Sequence, residues 1–293
     1  MFAGDKRSLA RLMTYIDNRH EDLLELMAVV VAKAKPARKI GVTGPPGAGK
    51  STLVDRLIAA FRAEGKTVGV VAIDPSSPFS GGAVLGDRIR MQGHSSDDGV
   101  FIRSLGSHGA HGGLSRATRD IVHLMAAFGF DVILVETVGV GQTELDVMSV
   151  AQTTLVVLVP ESGDTIQTMK AGLMEIADIF VVNKADREGA DRICAELKSL
   201  SGLSSAAWMV PVIKTVATRG EGLAELKQVM EEHIQQGPAT HTPEERRQIF
   251  REECLEIVFA ELAKKMEKIL VDEKNQDNPY LVAGDILKKI VFN

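Results

Sequence analysis

The sequence predicts an α/β fold, a mainly parallel twisted sheet with helices on both faces. Three observations predict it: short β-branched runs recur between residues 39 and 213, helical stretches separate them, and a glycine-rich turn follows the first run. The runs are Ile40-Gly-Val42, Val68 to Ile73, Val100 to Ile102, Val132 to Val135, Leu155 to Val159, Ile179 to Val182 and Met209 to Ile213. Parallel strands buried on both faces need no polar alternation, which is how these runs read.

Ahead of the sheet, Leu9, Leu12, Met13 and Ile16, then Leu23, Leu24, Met27 and Val30 or Val31, recur at helical spacing and predict two amphipathic helices. Lys35-Pro36-Ala-Arg38 breaks that pattern, so residues 1–37 form an N-terminal helical extension and residues 38–236 the sheet domain. Gln235-Gln-Gly-Pro238 is a linker by composition. Beyond it, Thr242-Pro243-Glu244-Glu245 carries an N-cap Thr, a Pro at the first helical position and a Glu at the third. A long helix with a wide apolar stripe should follow, from Ile249 to Leu270, then a short terminal helix from about Leu281 to Ile290, so residues 237–293 form a C-terminal helical arm.

With 34 basic and 39 acidic residues the chain has a net charge of −5, without the basic excess of a protein that grips nucleic-acid phosphates. Cys194 and Cys254 fit neither a zinc pattern nor a disulfide framework and read as small buried apolar residues. The first residues lack a signal-peptide core and the longest apolar runs are too short to span a bilayer, so the expectation is a soluble, cytoplasmic protein without a membrane partner.

Gly44-Pro-Pro-Gly47-Ala48-Gly49-Lys50-Ser51-Thr52 fits the Walker A pattern of a P-loop NTPase. Its glycines let backbone N–H groups turn around phosphate oxygens at the positive end of the next helix. Lys50 should reach the β and γ phosphates, and Ser51 should place its hydroxyl on Mg²⁺. Asn183-Lys184-Ala185-Asp186, ending the sixth strand, supplies base selection: guanine presents two adjacent donors, N1–H and the 2-amino group, and the Asp186 carboxylate can accept both. Asn183 should hold the loop and Lys184 should pack over the ring. Thr215-Val216-Ala217, after the seventh strand, sits where a further base-contacting loop is expected.

Asp74, Asp87 and Glu136 lie just beyond strand ends, where one or more of them could complete a Mg²⁺ shell with Ser51 and phosphate oxygens. For Asp74 and Asp87 the alternative is turn or helix capping. Glu136 ends a wholly apolar strand, where a carboxylate without partners is costly to desolvate. Its side chain is one methylene longer than an Asp and can reach the ion's shell, directly or through water, from a strand end set farther back. Gly139 and Gly141 permit a close approach of backbone amides to the γ-phosphate. Gln142 stands three residues past Gly139, out of register for a water-positioning glutamine, and is assigned no catalysis.

Taken together, these motifs resemble the P-loop GTPases whose third motif carries Glu, and within them the chain is similar to the MeaB and ArgK type, relatives of human MMAA. Its most specific pieces are Gly112-Gly-Leu-Ser-Arg-Ala-Thr118 and Asp164-Thr-Ile-Gln-Thr-Met-Lys-Ala-Gly-Leu-Met-Glu-Ile-Ala-Asp178. The resemblance implies a GTP-hydrolysing chaperone, slow alone and accelerated by its partner, that gates adenosylcobalamin loading and protection of a B12-dependent acyl-CoA mutase. It implies GTP or GDP with Mg²⁺ on residues matching Ser51, Asp74, Asp87 and Glu136. It also implies a switch over roughly residues 159–170 that acts through Asp164, Gln167 and Lys170. Homodimerisation through the C-terminal arm is implied as well, and the adenosyltransferase that supplies the cofactor is a further partner. Two other functions fit part of the pattern. A nickel or zinc metallochaperone would need a Cys-rich or His-rich element, which the sequence lacks; His94, His108 and His111 stand apart on glycine-rich stretches and read as solvated. A transport-system kinase would need an acceptor, and Asn183 to Asp186 argues against ATP.

Overall fold

The computed structural model describes residues 1–2, 4–74, 92–94, 96–106, 116–137, 150–162, 176–201, 208–236, 243–272 and 278–291. Among the described residues seven strands form one wholly parallel sheet: β1 (Arg38–Thr43), β2 (Val68–Asp74), β3 (Val100–Gly106), β4 (Val132–Glu136), β5 (Thr153–Leu158), β6 (Ile179–Val182) and β7 (Val212–Lys214), in the order β3-β2-β4-β1-β5-β6-β7. The central strand β1 therefore lies between β4 and β5. The last strand begins later than its apolar run suggests. Pro211 has no N–H to give a ladder, and only its carbonyl is used, accepting from Phe180 N, while Met209 is 74% exposed.

Side chains alternate across the sheet. Val132 and Leu134 face one layer, made by α3 (Lys50–Ala63) and α6 (Leu223–Gln236), where Leu53, Leu57, Phe61, Leu226 and Met230 join Ile40, Val42, Leu155 and Val157 in one core. Ile133 and Val135 face the other, where α1 (Lys6–Asp17), α2 (Leu23–Ala32) and α4 (Arg116–Phe128) pack. Leu9, Met13 and Ile16 of α1 and Leu23, Met27 and Val30 of α2 supply the buried stripes; Val31 is exposed, so Val30 holds the core position. A third cluster packs α5 (Ala190–Ser201) against Val156, Leu158, Phe180 and Val182. Cys194 lies in it, and burial pushes its thiol pKa up.

The chain divides into two compact units, Met1–Thr240 and His241–Asn293. The second contains α7 (Pro243–Asp272) and α8 (Pro279–Val291). At 30 residues α7 is about 45 Å long. Its apolar stripe is only partly covered: Phe250 is 67% and Phe259 65% exposed. Cys254 is exposed as well, which corrects its expected burial; helical spacing marks a stripe but not what covers it.

Candidate nucleotide site

The carboxyl ends of β1, β2, β4, β6 and β7, with the segments that leave them, carry the described candidate residues, as expected of an open parallel sheet. After β1 the chain turns at Gly44 with φ +135°, where a Cβ would lie 2.0 Å from the carbonyl oxygen of Val157 on β5. Gly49 precedes α3 at φ +86°, and a Cβ there would meet the Asn183 amide nitrogen at 2.4 Å. Both positions need glycine, one to pass the neighbouring strand and one to let the base loop dock on the phosphate loop. Between them Ala48 is fully buried, while Gly47 is exposed at φ +75°.

Lys50, the first residue of α3, is 6% exposed, and its Nζ bends back across the loop to donate to Gly44 O at 2.8 Å and Pro45 O at 3.2 Å. That places the ammonium within the curl of the loop, where phosphate oxygens would be stronger acceptors than the carbonyls. Ser51 and Glu136, both buried, meet directly: Ser51 Oγ donates to Glu136 Oε1 at 2.6 Å. Thr52 follows, half-buried in the first turn of α3.

A hydroxyl and a carboxylate in contact are hard oxygen donors of the kind Mg²⁺ takes, and adjacent ligands of an octahedral ion lie about 2.9 Å apart, close to what the pair already shows. Because Ser51 directs its O–H at Glu136, the lone pairs of Oγ are left for the ion. The glutamate therefore orients the serine. Asp74 ends β2, in register with Gly106, one strand from β4. Nearby, Thr137 Oγ1 donates to Thr43 Oγ1 at 2.9 Å and ties the ends of β4 and β1 together. Asp87, Gly139, Gly141, Gln142, Asp164, Gln167, Lys170, His108 and His111 lie outside the described residues.

At the other end of the cleft, Asn183 is 3% exposed and joins three segments. Its Nδ2 donates to Ala48 O at 2.9 Å, while its Oδ1 accepts from Ala217 N at 3.1 Å and from Thr215 Oγ1 at 3.2 Å. Lys184, at φ +54°, donates from Nζ to Gly47 O at 2.7 Å, stretching over the cleft from the base loop to the phosphate loop. Thr215, Val216 and Ala217 are buried, and Ala185 N donates to Thr215 O at 3.0 Å. Asp186 is exposed at the rim.

Three side chains that the motifs do not contain complete this end. Arg56 of α3 donates to Ala217 O at 3.1 Å and Thr218 O at 2.9 Å, fixing the base loop to the phosphate-loop helix. Arg219 donates to Asp186 Oδ2 at 3.1 Å and forks onto Glu221. That fork raises the guanidinium pKa and holds the Glu221 carboxyl below its usual range. Sequence gave one weak signal for the pair, the Arg219-Gly-Glu-Gly222 turn directly after the expected base loop.

Away from the cleft, Asp178, the last residue of the most specific block, serves the sheet. It directly precedes β6 at the amino edge, accepting from Thr154 N at 2.7 Å and lying 3.2 Å from His233 Nε2, with Trp208 Nε1 donating to its carbonyl at 2.9 Å. His94 is not solvated as expected; it is 3.1 Å from Asp55 of α3, which its spacing in sequence does not disclose. Among the described residues, no group of three or more His, Cys, Asp or Glu is placed to hold a metal ion.

Residues 9–270 match the family model described as methylmalonyl Co-A mutase-associated GTPase MeaB. A Pyrococcus abyssi protein that carries the name putative GTPase is 48% identical, over 99% of this chain and 95% of its own. The mouse mitochondrial methylmalonic aciduria type A homolog is 36% identical over 78% of this chain and 60% of its own. A crystal structure of a LAO/AO transport system kinase superposes with a TM-score of 0.64 at 26% identity, over 98% of this chain and 94% of that one.

Proposed function

The chain belongs to the methylmalonyl Co-A mutase-associated GTPase MeaB family, and on that premise we propose that it binds and hydrolyses GTP to gate adenosylcobalamin loading and protection of an acyl-CoA mutase. The observation that carries the nucleotide part is Asn183, which joins Ala48 of the phosphate loop to Thr215 and Ala217 of the base loop and so sets the span between phosphate and base. Asp186 beside it accepts the paired donors of guanine.

In this proposal water attacks the γ-phosphate in line, and Lys50 stabilises charge on the β and γ oxygens as it develops. Ser51 and Glu136, joined by their hydrogen bond, would hold Mg²⁺ together with Asp74 and Asp87. The ion, when bound, neutralises phosphate charge. Gly139 approaches the γ-phosphate, and Asp164, Gln167 and Lys170 form the switch through which the mutase raises a slow intrinsic rate. The reading further includes a cytoplasmic homodimer joined through residues 237–293, supported by the exposed Phe250, Val258 and Phe259 of α7 and Leu281 and Leu287 of α8. An adenosyltransferase is the further partner it implies. Among the described residues, no helix is long and apolar enough to cross a membrane.

GTP turnover measured with and without an adenosylcobalamin-dependent acyl-CoA mutase tests the reading. Acceleration is expected, with ATP a poor substrate in both mixtures; equal rates would remove the mutase from the proposal.

A further inference from the structure

Asp186 is the carboxylate on which guanine selection rests, yet it stands exposed at the rim of the cleft, where a short side chain has rotamers to choose from. Its position is set from outside the motif. Arg219 Nη1 donates to Asp186 Oδ2 at 3.1 Å, while the same guanidinium grips Glu221 through Nε to Oε1 at 2.6 Å and Nη2 to Oε2 at 3.3 Å. A planar fork held on a carboxylate has little freedom left, so the third donor points in a fixed direction.

The clamp is itself anchored. Val216 N donates to Glu221 O at 3.1 Å in an isolated antiparallel bridge, and Gly222 turns at φ +77° where a Cβ would meet Lys214 O at 2.0 Å. Arg219 N donates to Val216 O at 2.9 Å. The arginine therefore hangs from the same short turn as Val216 and Ala217. A carboxylate offers roughly four lone-pair sites and guanine needs two, so the base and Arg219 can share Asp186.

We propose that Arg219, held by Glu221, is a positioning residue for guanine: it fixes the plane of the Asp186 carboxylate so that both oxygens meet N1–H and the 2-amino group together. The inference rests on the guanine-nucleotide reading given above. An exposed ion pair of this kind contributes little to folding, so its value lies in the direction it gives the carboxylate.

Inosine nucleotides lack the 2-amino group and separate orientation from simple loss of the turn. Equilibrium binding of GDP and IDP is measured on the full chain for wild type, Arg219→Ala, Glu221→Gln and Asp186→Asn. Arg219→Ala should weaken GDP about three- to tenfold and IDP by less than about twofold, narrowing the GDP-to-IDP ratio. Glu221→Gln should shift it in the same direction by less. Asp186→Asn should weaken GDP most and gain affinity for XDP, whose 2-oxo group accepts where guanine donates. If GDP and IDP weaken equally in Arg219→Ala and Glu221→Gln, or neither changes, the positioning role is overturned while guanine selection by Asp186 stands. If Asp186→Asn leaves GDP binding intact, the guanine reading itself fails.

Discussion

At the base end of the cleft one neutral amide, Asn183, satisfies three partners from two other segments, and Arg56 adds two more bonds from α3. At the phosphate end the buried groups are ionic: Lys50 folded over its own loop and Glu136 holding Ser51. Side chain to backbone bonds that link distant segments are part of the fold, and removing one leaves polar groups unsatisfied. Buried charges cost desolvation free energy and give little back in stability, so they persist where chemistry needs them. The same cleft thus has a structural end and a chemical end, and substitutions should separate them.

The largest expected effect is chemical. Lys50→Ala should lower GTP turnover by about 10²–10³-fold while circular dichroism and thermal unfolding stay near wild type. Unfolding at a much lower temperature would place Lys50 among the groups that hold the fold. Next comes the backbone that both ends share. Gly44→Ala should cost about 3 kcal/mol or more in denaturant unfolding, because its Cβ would meet Val157 O at 2.0 Å. Gly47→Ala, at φ +75° with open space around it, should cost only about 1 kcal/mol. Equal costs would mean that the loop passes β5 more loosely than described.

The smallest effect lies outside the cleft and depends on pH. Asp97 is held below its ordinary pKa of 3.8, first by the Arg62 guanidinium and then by Gly99 N–H. A depressed carboxyl contributes stability above its unfolded pKa and loses it as pH falls through the folded one. The difference in Tm between wild type and Asp97→Asn should therefore hold steady from neutral pH to about pH 4 and close below it. Both side chains are partly exposed, 25% for Arg62 and 31% for Asp97, so the gap is small. A gap that widened with acid would contradict the assignment.

How far the sequence disclosed this site follows from how far apart its partners lie. The phosphate loop is legible because Gly44, Gly47, Gly49, Lys50 and Ser51 act as neighbours with fixed spacing, and the base motif because Asn183 and Asp186 end one strand. The sheet is legible because strands buried on both faces must be continuously apolar. What stayed hidden depends on long-range pairing: Thr43 with Thr137, Asp55 with His94, Asp178 with His233, and Arg56 with the base loop. Arg219 escaped for another reason, since charged residues in glycine turns are ordinarily solvated and only its clamp on Glu221 distinguishes it. Glu136 was visible as an acid near the ion, but its hydrogen bond to Ser51 comes from α3 and β4 meeting.

The contrast between the two ends is tested most directly by denaturant unfolding of Asn183→Ala beside Glu136→Gln, with GTP turnover recorded on the same preparations. Asn183→Ala should lose about 2–3 kcal/mol, the cost of leaving Ala48 O and Ala217 N unsatisfied. Glu136→Gln should stay within about 1 kcal/mol of wild type, or exceed it, while turnover falls about 10–100-fold. If Glu136→Gln unfolds as readily as Asn183→Ala, the phosphate end is as structural as the base end, and the division drawn between them is wrong.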